Sequence, residues 1–76
     1  MKMEVEVRTD DFGFVIVRKC EDGAGRGFED WYTGENGPYT FCQEYGFRKV
    51  FSTKRKANKS LKDARKFIDG LKKPND

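Results

Sequence analysis

The 76 residues carry 16 Lys and Arg against 13 Asp and Glu, a net charge of +3, with 14% aromatics and no histidine. A mean hydropathy of −0.92 and 38% charged residues describe a surface built for water, and the longest apolar run, residues 14–17, is far too short to span a bilayer. Without histidine, His-based catalytic triads fall away and a zinc site would have to recruit carboxylates.

One domain of this length buries only about 60% of its unfolded surface, so the core must be compact. Seven Phe, three Tyr and one Trp supply it. Residues 1–47 hold five cations (Lys2, Arg8, Arg18, Lys19, Arg26) and ten acids, a net of −5; residues 48–76 hold eleven cations and three acids, a net of +8. Such asymmetry points to a polyanionic partner for the basic end, unless the halves answer each other in the fold.

Met3, Val5 and Val7 alternate with Glu4, Glu6 and Arg8, the pattern of a half-buried strand. It reads as a strand and not as a leader, so a cytoplasmic chain is expected. As an exposed edge it leaves room for a homodimer as well as a monomer. Asp10-Asp11 signals a turn. Residues 12–19 follow, and Phe14-Val15-Ile16-Val17 reads as a central strand buried on both faces.

Glu21 to Gly27 contains three glycines in five positions and reads as a mobile loop. Residues 28–33 form a short strand, and Asn36-Gly37 marks a tight hairpin turn. Residues 39–43 make the return strand, and 47–51 resume a strand after a turn or bulge. Cys20 and Cys42 lack metal-ligand spacing and are expected reduced and buried, with a disulfide as the alternative.

The last third carries the clearest pattern. Ala57, Leu61, Ala64, Ile68 and Leu71 recur at spacings of four and three, the period of one helix face. Arg55, Lys59, Lys62, Lys66 and Lys73 fall together on the opposite face, along about 27 Å of helix. Ser52 or Thr53 is the expected N-cap, and Pro74 ends the helix. Lys54, Arg55 and Lys56 oppose the positive N-terminal end of the helix dipole, which hints at a partner outside the helix.

The expected fold is α+β: an antiparallel sheet of three to five strands packed against one C-terminal amphipathic helix. It forms a single domain, with residues 1–52 as the sheet part, 53–73 as the helix and 74–76 as a tail.

The run Thr53-Lys54-Arg55-Lys56-Ala57-Asn58-Lys59-Ser60-Leu61 resembles the start of the last helix of double-stranded-RNA-binding domains. That helix follows a three-stranded antiparallel sheet and carries a Ser/Thr-Lys-Lys-x-Ala pattern. The resemblance implies that Lys54 and Arg55 contact phosphates across the RNA major groove and that Ala57 packs on the sheet. It covers about nine residues, and the family's first helix has no counterpart. A sheet followed by one helix also looks like the arm-binding domains of tyrosine recombinases, which read DNA with the sheet face. Here that half is acidic.

The glycine loop lacks the Lys-Ser/Thr of a P-loop, although Arg26 at its tip could add a phosphate contact. Trp31, Tyr32, Tyr39, Phe41, Tyr45 and Phe47 exceed what one sheet face can bury, so some are expected exposed, as a stacking platform or as anchors for a protein. The adjacent acid pairs Asp10-Asp11, Glu21-Asp22 and Glu29-Asp30 point apart on a strand and suit turns better than acid–base work. No enzyme activity, metal or cofactor is expected.

Two functions remain. The first is a non-catalytic nucleic-acid-binding module, for RNA or DNA, that holds phosphates with Arg48, Lys54, Arg55, Lys56, Lys59, Lys62 and Lys66. The second is an effector of the kind encoded by phages or mobile elements, which inhibits a host protein such as a nuclease or a ribonucleoprotein complex. Glu4, Glu6, Glu29, Asp30, Trp31 and Tyr32 are its candidate partner surface.

Overall fold

The structure, a computed structural model, describes residues 2–35 and 40–72, with side chains through Gly70. Strands β1 (Lys2–Asp10), β2 (Gly13–Glu21), β3 (Gly27–Tyr32) and β4 (Phe41–Cys42) form one antiparallel sheet in the order β1-β2-β3-β4. Helix α1 (Lys54–Lys72) covers one face. This is the expected α+β arrangement. No helix among the described residues is long and apolar enough to cross a membrane.

The register assigns the faces. Met3, Val5 and Val7 lie opposite Cys20, Arg18 and Ile16, while Cys20 and Arg18 lie opposite Phe28 and Asp30. These residues, with Tyr32 and its partner Phe41, share the helix side. Ala57, Ala64 and Ile68 close down on that side together with Ile16, Phe41 and Phe51. The two fully buried alanines let the helix backbone approach the sheet, and burying Ile68 stabilises the fold by about 1.5–3 kcal/mol.

The opposite face is covered by side chains alone. Val15 and Val17 point that way and are still buried. Arg8 bonds Glu6 at 3.0 Å and reaches Glu29 two strands away, and Lys19 bonds Glu6 at 3.1 Å. This ion lattice and the edge-on pair Trp31–Tyr45, 5.3 Å between centroids, close over the valines. β2 is therefore inner and buried on both faces, as its apolar run predicts.

Some expectations change. Residues 47–51 form no strand. Tyr45–Phe47 is a 3-10 turn, and Phe51 makes an isolated bridge to Phe14, with N–H···O distances of 2.9 and 2.7 Å. β3 pairs β2 only at Val17 and beyond, so the Phe14 end of β2 has an open side that Phe51 fills. β4 is only two residues long, and the Asn36-Gly37 turn and Tyr39 lie outside the described residues. The glycine loop is organised by Asp22, whose carboxylate accepts from the N–H groups of Ala24 and Arg26 at 2.9 Å. Cys20 and Cys42 are both free; the register puts them on opposite faces, and Cys42 is only half-buried.

Candidate nucleic-acid interface

Thr53 starts the helix. Its hydroxyl accepts from the Lys56 N–H at 3.2 Å, and its carbonyl accepts from Ala57 at 3.2 Å. Lys56 Nζ turns back to the Ser52 hydroxyl at 3.3 Å. The first turn holds no acid to oppose Lys54, Arg55 and Lys56.

Two contacts fix the helix about its axis. Phe67 packs on Phe41 at 5.8 Å between centroids, which turns one flank toward β4. Arg65, Ile68 and Asp69 line a groove with Met3, Glu4 and Val5, which turns the other flank toward β1. At about 100° per residue, Arg55, Lys59, Lys62 and Lys66 then point directly away from the sheet, and all four are exposed. They span roughly 16 Å along the axis.

The pairing of charge is as uneven as its distribution. The sheet-side cations Arg8, Arg18, Lys19 and Arg48 are taken by Glu6, Glu29, Asp30 and Asp10. Among the described residues none of the ridge cations makes an ion pair, although Asp63 and Asp69 lie on the same helix. The acids of the sheet side therefore neutralise Arg8, Arg18, Lys19 and Arg48 and leave the helix charge to solvent.

The structure brings together Lys54, Arg55, Lys56, Lys59, Lys62 and Lys66 on one helix and sets Arg48 apart. Arg48 Nε donates to Asp10 at 2.8 Å, and its guanidinium lies 3.7 Å above the Tyr45 ring and 5.7 Å from that of Phe12. The candidate protein surface splits in two. Glu4, Glu6, Glu29 and Trp31 share the face away from the helix. Tyr32 faces the helix and packs on Phe41, and Asp30, 3% exposed, is locked to Arg18 beneath it. Period-two alternation along β3 is the signal that separates Asp30 from Glu29.

Sequence reasoning missed the cluster that Arg48 organises. Its rings are Phe12, 77% exposed, and Tyr45, about half exposed and packed on Trp31 away from the ridge; Phe47, 67% exposed, lies in the same 3-10 turn as Tyr45. Its parts come from the β1–β2 turn and the 3-10 turn, and only the charge complementarity of Asp10 and Arg48, 38 positions apart, could have hinted at their meeting. No group of three or more Cys, Asp or Glu that could hold a metal occurs among the described residues.

No protein-family model, curated protein or solved structure matches the chain.

Proposed function

We propose that the chain is a small nucleic-acid-binding module that grips phosphates with Arg55, Lys59, Lys62 and Lys66. Lys54 and Lys56 assist at the helix start. One observation carries this reading: the ridge cations are exposed and free of ion pairs among the described residues, while Arg8, Arg18, Lys19 and Arg48 of the sheet side are neutralised. A duplex presents one phosphate charge per about 1.7 Å of axis, so a ridge of roughly 16 Å meets several at once. The ridge carries no Asn or Gln that would pair with adenine, so binding follows charge and shape rather than base sequence. The likeness of residues 53–61 to double-stranded-RNA-binding domains favours duplex RNA among the ligands.

Fluorescence anisotropy with labelled duplex RNA, duplex DNA and single-stranded RNA tests the reading. Four phosphate contacts to B-form DNA give a slope of log K against log salt of about −3.6. Lys59→Glu with Lys62→Glu is expected to abolish binding with the fold intact. Binding that survives this double reversal, or no binding at low salt, overturns the proposal.

The exposed aromatics Phe12, Tyr45 and Phe47 favour a second reading, a protein-binding effector of the phage or mobile-element type that inhibits a host protein. It predicts a stoichiometric complex that Phe12→Ala with Phe47→Ala abolishes and the ridge reversal does not.

A further inference from the structure

We infer that β1 is a homodimer interface, pairing antiparallel with β1 of a second copy about a two-fold axis at Glu6. β1 is nine residues long and ends the sheet, with no strand on its outer side among the described residues. A long edge strand is a template for further pairing, and charged side chains restrict what it accepts.

The charge order of β1 selects a second copy. On the face away from the helix the strand reads Lys2, Glu4, Glu6, Arg8, Asp10. With Glu6 on the axis, Lys2 meets Asp10 and Glu4 meets Arg8, each twice by symmetry. On the helix side Val5 meets Val7. Sliding by one pair toward the N-terminus sets Lys2 on Arg8 and Glu4 on Glu6; sliding the other way sets Glu4 on Asp10. An odd shift puts valines against charges. The like pair left on the axis, Glu6 with Glu6, is already neutralised on each copy by Arg8 and Lys19. Lys2 and Glu4 make no ion pair among the described residues, and they are the two charges that gain partners.

The joined sheet has eight strands with both helices on one side. Each helix lies over β1 and β2, and strands stand about 4.8 Å apart. The helix axes then run roughly 10 Å from each other, the spacing of packed helices. The two basic ridges become one surface. The pairing itself does not depend on the nucleic-acid reading.

Sedimentation equilibrium of the full chain is expected to give twice the 8.9 kDa chain mass at high micromolar concentration. Glu4→Arg faces Arg8 of the other copy and is expected to weaken the dimer about tenfold or more. Glu44→Lys, exposed beyond β4 at the other end of the sheet, leaves it unchanged. In a Cys42→Ser background, Glu6→Cys lies within disulfide reach of its own copy, Cα atoms about 4.5–5.5 Å apart, and cross-links on mild oxidation. Glu4→Cys, roughly 14 Å from its copy, does not. A wild-type chain that stays monomeric at high micromolar concentration, a Glu4→Arg dimer of undiminished affinity, or cross-linking at position 4 in place of position 6 overturns the inference.

Discussion

Arg48 and Asp10 meet across 38 positions of sequence: Nε donates to Oδ2 at 2.8 Å, and a terminal nitrogen reaches Oδ1 at 3.3 Å. The pair ties the segment ahead of the helix to the end of β1. The Tyr45 hydroxyl and the Phe12 N–H donate to the same carboxylate.

These bonds make Asp10 an acid-sensitive clasp. The Arg48 guanidinium first, then the Tyr45 hydroxyl, hold its carboxyl far below the ordinary carboxylate range. Glu6, bonded by Lys19 and then Arg8, and Glu29, bonded by Arg8, move the same way. A carboxyl whose folded pKa lies below its unfolded value gives stability that is complete above the unfolded value, near 4, and is lost as pH falls toward the folded one. Thermal midpoints followed by circular dichroism are therefore expected to hold from pH 7 to about 5 and drop between pH 5 and 2. Asp10→Asn lowers the midpoint at pH 7 and shrinks the acid drop. An equal drop in wild type and variant would remove Asp10 from the clasp.

Beneath the helix, Arg18 and Asp30 form a second largely buried ion pair. Arg18 Nε donates to Asp30 Oδ1 at 2.9 Å, and its guanidinium lies 4.5 Å over the Phe41 ring. Only 4% of the Asp30 side chain is exposed, and 16% of that of Arg18. Asp30→Ala strands the guanidinium and is expected to cost about 3–5 kcal/mol, much of the stability of a domain this size. Arg18→Met with Asp30→Leu replaces both charges by apolar groups and is expected to recover most of that loss. Urea denaturation of Arg18→Met, Asp30→Leu and the double variant measures the coupling; additive losses would show that the pair acts as two independent side chains.

The same pair shows where sequence stops being legible. The alternation of β1, the double burial of 15–17 and the stripe of α1 are local periodicities, and each reappears in the fold. The hydroxyl cap at Thr53 and the cation ridge follow from the same local patterns. Asp30 beside Glu29 reads as surface charge until the β2–β3 register sets it opposite Arg18. Residues 47–51 read as a strand because their apolar content is right, but the place that Phe51 takes exists only because β3 stops short of Phe14. That the ridge is free of ion pairs is a three-dimensional fact too, since Asp63 stands four residues after Lys59, the spacing at which helical pairs form.

Gly13 controls how the chain re-enters the sheet. Its φ of +148° lies where L side chains are rarely found, and a Cβ there would stand 2.4 Å from the Phe51 carbonyl oxygen and 3.1 Å from Val50 Cγ1. That carbonyl accepts the Phe14 N–H at 2.9 Å, half of the bridge that anchors the segment leading into α1. Gly13→Ala must therefore strain the backbone, which costs about 1–3 kcal/mol, and push Phe51 out of the core. At Gly23, in the next hairpin loop, an added Cβ would meet no atom within 4 Å, and φ is not positive. Gly23→Ala is therefore the matched control and is expected to leave stability unchanged. Hydrogen exchange adds the local readout: in Gly13→Ala the amides of Phe14 and Phe51 lose protection ahead of the β1–β2 ladder. Equal stability of the two variants would mean that the bridge bears no weight in the fold.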